Sequence, residues 1–142
     1  MFISRLSLCA ATLLLVGVSL QGQQGGAASV AMPKGNIEHG EYLVERVIMC
    51  YQCHSTRDAA GNLVASTKFR GGPMPMRAPW PADSPNFIPR IAGLPGYTDA
   101  QAMRLLTQGA IKRDGTQLRL PMPPFHLSPQ DAADVIAYLR SQ

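Results

Sequence analysis

Charged side chains make up only 15% of this 142-residue chain and aromatic ones only 6%. The charges are dispersed, with no basic run and no aromatic residues interleaved among basic ones, which argues against nucleic-acid binding although the formal net charge is +4. Strand-like alternation of useful length is missing, and so is any internal repeat, which removes sheet-built and solenoid architectures. No apolar run reaches the ~20 residues that span a bilayer comfortably. The longest, Leu6 to Leu20, is 15 residues. Cysteine is scarce as well: Cys9, Cys50 and Cys53 are the only three.

The amino terminus accounts for the first of these cysteines. Met1 to Arg5 carries one positive charge, Leu6 to Leu20 is apolar, and Gln21 to Ala31 is small and polar. This is the three-part layout of a secretory signal peptide, with small residues at Ala28 and Ala31 for cleavage. The expected organisation is therefore a cleaved signal over residues 1–31 and one domain over residues 32–142. An uncleaved segment would instead act as an amino-terminal membrane anchor. Cys9 leaves with the signal, so the exported chain keeps only Cys50 and Cys53. Removal of Arg5 leaves 12 basic against 9 acidic residues, a charge of +3.

Those two cysteines stand in Cys50-Tyr51-Gln52-Cys53-His54, a C-x-x-C-H pentapeptide. The spacing is the attachment signature of a c-type haem. Two thiols three positions apart can each add across one vinyl group of one porphyrin, and the adjacent histidine can then ligate the iron. A zinc site would need two further ligands, but no second C-x-x-C and no H-x(3–5)-H pair is present. A redox dithiol of the thioredoxin type would need a preceding βαβ unit, and none is legible.

Three helices are expected. The first, Ile37 to Met49, carries an apolar face of Ile37, Gly40, Val44, Val47 and Ile48 and leads directly into the motif. Thr98-Asp99-Ala100-Gln101 is a capping box that opens a second helix, Asp99 to Gln108, stopped by Gly109. Ser128-Pro129-Gln130-Asp131 starts a third, with a stripe of Ala132, Val135, Ile136 and Leu139. Between the first two lies Gly61 to Tyr97, with seven prolines and five glycines in 37 residues. It also holds Phe69, Met74, Met76, Trp80, Phe87, Ile88, Ile91 and Leu94, too apolar a set for a solvated linker. A loop wrapped on a cofactor is expected, with prolines reducing the entropy lost on ordering.

The sixth iron position has several candidates. Met122 leads, because Leu120-Pro121-Met122-Pro123-Pro124 presents one thioether between rigid prolines just before the last helix. His126 is the second choice, and Met74 and Met76, in a similar Pro-Met-Pro-Met run, are a third. Met49 and Met103 read as core residues. Met32 lies near the frayed terminus and His39 among acidic neighbours on the first helix.

Taken together, these segments resemble the class I monohaem cytochromes c, most closely the bacterial cytochrome c subunits of periplasmic dehydrogenases and terminal oxidases. His39 to Val44 resembles the family's first helix, Cys50 to His54 its haem motif, and Pro85-Asn86-Phe87-Ile88 its P-N-I element. Gly96 to Gly109 resembles the helix before the methionine loop, Leu120 to Pro123 the axial methionine segment, and Ser128 to Leu139 the closing helix. Phe125-His126 departs from the pattern, since a tyrosine or tryptophan commonly follows the methionine.

The resemblance implies an all-α fold of three or more short helices around one covalently attached haem c, ligated by His54 and Met122. It implies that the first and last helices cross closely at Gly40, packed by Tyr42, Leu43, Tyr138 and Leu139. It also implies that a proline carbonyl, for which Pro73 is the candidate, accepts a hydrogen bond from the proximal histidine. Trp80, Asn86 and Tyr97 are expected to pack on the haem. The implied function is one-electron transfer in the periplasm, with a dehydrogenase, oxidase or membrane electron-transfer complex as partner. No substrate turnover and no membrane contact beyond partners or an uncleaved leader are expected. Two other classes remain open: a ligand sensor or peroxidase-like enzyme with a displaceable sixth ligand, and a haem subunit fixed in a larger complex.

Overall fold

The computed structural model describes residues 31–74 and 84–142. Among the described residues four α-helices are joined by long connections: α1 (Ile37–Tyr42), α2 (Tyr51–His54), α3 (Asp99–Thr107) and α4 (Pro129–Arg140). The only strands among the described residues are β1 (Gly72–Pro73) and β2 (Phe87–Ile88), paired antiparallel with Gly72 opposite Ile88. No helix among the described residues is long and apolar enough to cross a membrane.

The helix starts follow from local chemistry. Asn36 caps α1, its side chain accepting from the His39 N–H at 3.1 Å. At α3 the capping box forms as expected: Thr98 Oγ1 accepts from the Gln101 N–H at 3.2 Å, and Gln101 Oε1 accepts from the Thr98 N–H at 2.9 Å. The helix ends one residue earlier than expected, and Gly109 turns the chain away with φ +88°. At α4, Ser128 accepts from the Asp131 N–H at 3.1 Å with Pro129 in the first turn.

The first helix departs from expectation. Instead of continuing to Met49, α1 widens into a π-helical turn over Leu43–Val47, in which the Ile48 N–H reaches the Leu43 carbonyl at 2.8 Å. A π turn inserts extra residues per revolution and rotates the following side chains out of α register. Gly40 and Val44 therefore stay buried, while Val47 is 51% exposed. Ile37, in the first turn, is 52% exposed. Met49 then takes a left-handed φ of +56°, and the haem motif forms a separate short helix, α2, rather than the end of α1.

The crossing of α1 and α4 is set by the absence of a side chain. A Cβ on Gly40 would lie 2.0 Å from the Asp134 carbonyl oxygen and 2.8 Å from Tyr138 Cβ, closer than atoms can approach. Tyr138 and Leu139 are buried there and Leu43 packs against them, but Tyr42 points outward at 56% exposure, so it is not a packing partner. Asp134, buried in α4, ties this end together. It accepts from the Asn36 N–H at 2.7 Å and Gln130 Nε2 at 2.8 Å, and pairs with His39 Nδ1 at 2.7 Å.

The long middle segment is anchored by Phe69, fully buried with φ +60° and edge-on to Tyr138. Its N–H donates to Ser55 Oγ at 3.1 Å, and its carbonyl accepts from the N–H groups of Ile91 and Ala92. Glu45 joins three elements, accepting from Lys68 Nζ at 2.5 Å and from the Tyr138 hydroxyl. On the far side, Arg140 donates to Asp99 and to the carbonyls of Gly93, Leu94 and Tyr97. The Pro- and Gly-rich segment is thus held to the helices at Phe69 and again before α3, with the site between them.

Candidate haem site

His54, at the end of α2, is buried, and its Nδ1 lies 2.8 Å from the Pro89 carbonyl oxygen. A carbonyl can only accept, so Nδ1 carries the proton and Nε2 keeps its lone pair free for a metal. Burial depresses the His54 pKa below the ordinary histidine value, with the Pro89 bond opposing. The ring is accordingly neutral near pH 7, as a ligand must be. Pro73 is not the acceptor. The β1–β2 pairing sets Pro73 opposite Phe87, and the chain leaving β2 carries Pro89 to the imidazole. The bond spans 35 positions, so no local spacing marks it in the sequence.

Two adjoining cavities meet at this histidine. The larger, about 400 Å³, is walled by Cys50, Cys53, His54, Met74, Phe87, Ile88 and Met122, with Lys112 and Arg119 also on its lining. The smaller, about 150 Å³, shares Ile48, Cys50, His54, Leu118, Met122 and Phe125 with the first and continues to Tyr97, Leu106, Val135 and Leu139. Both are overwhelmingly apolar, and the larger lies within the usual size range of cofactor sites. Both thiols are only half-buried by residue, and burial of the sulfur with Cys53 beside it pushes the Cys50 thiol up to about 11.

The expected site residues separate clearly. Cys50, Cys53, His54 and Met122 come together, and Met122, like His54, borders both cavities. Met74 borders only the larger one, and His126 neither; it is exposed, with its ring against Gly109. Met49, expected in the core, stands at the rim of the larger cavity at 46% exposure. Met103 packs against the core as expected. Tyr97 lines the smaller cavity. Asn86 does not line either: its side chain is exposed and its carbonyl accepts from the Met74 N–H at 2.9 Å. Trp80 and Met76 lie outside the described residues. Sequence reasoning missed Ile48, Leu118 and Phe125 as shared walls. Phe125 was visible only as the unusual residue after the methionine loop.

Two thiols, a neutral imidazole with a free Nε2 and an apolar slot suit a covalently bound haem. A family model described as cytochrome c matches residues 37–142. The chain belongs to the cytochrome c family. No curated protein matches it at a significant level. As a cytochrome c, it binds haem c through Cys50 and Cys53 with His54 beside them, and its general role is haem-based electron transfer.

Proposed function

We propose that this cytochrome is a periplasmic one-electron carrier with His54 and Met122 as axial iron ligands. The observation that carries the reading is that His54 and Met122, on separate elements, border the same two apolar cavities as Cys50. The bound haem supplies reversible one-electron chemistry at iron. Pro89 fixes the ring of His54 and raises its basicity through the Nδ1 hydrogen bond. Met122 offers a soft thioether, which favours the reduced metal relative to a second imidazole. The apolar walls exclude water and disfavour the additional positive charge of the oxidised centre. His54 and Met122 would hold the iron between them and would leave it no position for a substrate.

In this reading residues 1–31 direct export and are removed. The donor is a dehydrogenase or another periplasmic donor, and the acceptor a terminal oxidase or membrane electron-transfer complex. Encounters would use the rim of the larger cavity, where Met49 and Phe87 are exposed, a small contact suited to fast release.

Met122→Ala tests the ligand assignment. The expected result is high-spin iron that binds carbon monoxide, whereas Met122→His should stay low-spin with a lower potential. A wild-type spectrum and potential in Met122→Ala, together with a changed spectrum in Met74→Ala, would transfer the sixth position to Met74.

A further inference from the structure

The hydrogen bond from His54 to Pro89 is held together by a thin strap of chain, residues 69–71. One side of the strap bonds to the main chain that carries His54. The Gly71 N–H donates to the His54 carbonyl at 2.9 Å, and the Phe69 N–H donates to Ser55 Oγ at 3.1 Å. The other side bonds to the segment that carries Pro89. The Phe69 carbonyl accepts from the Ile91 and Ala92 N–H groups at 2.9 and 3.1 Å, and next to the strap Gly72 pairs with Ile88. The thickness of the strap therefore sets how far the histidine stands from its acceptor.

Gly71 is where the strap is thinnest. It is buried, and a Cβ there would stand 2.7 Å from the Pro89 carbonyl carbon and 2.8 Å from the Arg90 nitrogen, with the Ile88 carbonyl oxygen closer still. These atoms belong to the peptide that bonds His54 and to its neighbours, not to the ends of flexible side chains. A packed interior passes such a push on, so the acceptor itself has to move. Gly61 makes the comparison plain. Its φ of +86° is as left-handed as the +77° of Gly71, but a Cβ on it would meet nothing within 4 Å. Backbone conformation accounts for a glycine at both positions. Only at Gly71 does the missing side chain also bear on the site.

We propose that Gly71 is a positioning residue for electron transfer: its missing side chain lets the Pro89 carbonyl close on His54 Nδ1, and this holds the reduction potential down. The inference rests on His54 as an iron ligand and is independent of which residue fills the sixth position. The 2.8 Å bond draws the Nδ1 proton toward Pro89 and makes Nε2 the stronger electron donor. A stronger donor favours ferric iron, the more positive state. A side chain at position 71 would lengthen the bond, weaken Nε2 as a donor and favour the ferrous form. Losing such an outer partner changes the behaviour of a metal site by about tenfold or more. A tenfold change in the ferric-to-ferrous ratio is about 59 mV for one electron.

The test uses the holoprotein, in potentiometric titration and in proton NMR of the ferrous form, where the His54 Nδ1 proton reports the bond. Gly71→Ala should raise the potential by about 59 mV and move the Nδ1 proton upfield, with the low-spin visible spectrum retained. Gly61→Ala carries the same left-handed strain in open space, so it should lower stability and leave both readouts at their wild-type values. Ser55→Ala releases the Phe69 N–H and should move both readouts in the same direction by a smaller amount. That variant keeps the proposal open to refutation even if Gly71→Ala loads haem poorly. The proposal is overturned if Gly71→Ala moves the potential no further than Gly61→Ala, or, where Gly71→Ala takes up no haem, if Ser55→Ala leaves both readouts in place. It is equally overturned if the potential changes while the Nδ1 proton stays put, because the effect would then bypass Pro89. Failure of the ligand assignment would show in the wild type: His54 ring protons without the ring-current shift of an axial ligand would take His54 off the iron, and the proposal with it.

Discussion

The two ends of this cytochrome are built by opposite means. Where α1 crosses α4, protein meets protein with no gap: the backbone at Gly40 touches the backbone of α4, and Asp134 ties α4 to the start of α1. Around His54 and Met122 the protein instead encloses space, and apolar walls from α2, the middle segment, α3 and the loop before α4 face each other across it. The first region carries its stability in its own contacts. The second delegates a large part of its stability to the haem, since apolar walls stabilise only when something covers them. The contrast shows that one short chain can hold a rigid clasp at one end and depend on its cofactor at the other.

Removing the haem should have the largest effect. A Cys50→Ala/Cys53→Ala chain that cannot attach haem should be largely unfolded, with weak helical circular dichroism and no cooperative thermal transition. Any residual protection from hydrogen exchange should lie in α1 and α4 rather than in residues 85–97. Near-native helicity with a cooperative transition in the haem-free chain would show that the clasp organises the site unaided.

Next comes the clasp itself. Gly40→Leu should destabilise the holoprotein by about 3 kcal/mol, the upper part of the range for overpacking. A glycine in a helix ordinarily costs about 1 kcal/mol relative to alanine, so a side chain here would gain propensity if the position were free. At 2.0 Å from the Asp134 oxygen, steric exclusion wins. Urea titration should show the lower midpoint while the visible spectrum stays that of wild type, because Gly40 lines neither cavity. A stability unchanged by the substitution would mean that the two helices can separate freely.

The same contrast governs what was legible in the sequence. Capped helices were readable almost to the residue, because Thr98 with Gln101 and Ser128 with Pro129 act within one turn. The thiols and proximal histidine were readable because attachment chemistry fixes their spacing within five residues. The π turn after Tyr42 was not, since its cause lies in packing rather than in local propensity. Pro89 was missed and Pro73 chosen for a similar reason. The middle segment holds seven prolines, and only the β1–β2 pairing decides which carbonyl arrives under the imidazole.

Asp134 gives the smallest of the three effects and the one with a pH signature. Burial opposes its ionisation, but bonds from the Asn36 N–H, His39 and Gln130 outweigh that and hold its pKa below the ordinary carboxylate value. A folded-state pKa below the unfolded one stabilises fully above the unfolded value of about 3.9, and that contribution is lost as pH falls through the folded value. Asp134→Ala leaves the Asn36 N–H, His39 and Gln130 without this acceptor and should cost about 2 kcal/mol at neutral pH. The difference between wild type and variant should narrow as pH drops below about 4, because the wild-type carboxylate is then being protonated. Thermal melts at pH 7, 5 and 3 check this. A gap equally wide at pH 3 and pH 7 would assign the loss to packing of α4 and leave no role for the carboxylate charge in closing the helical end.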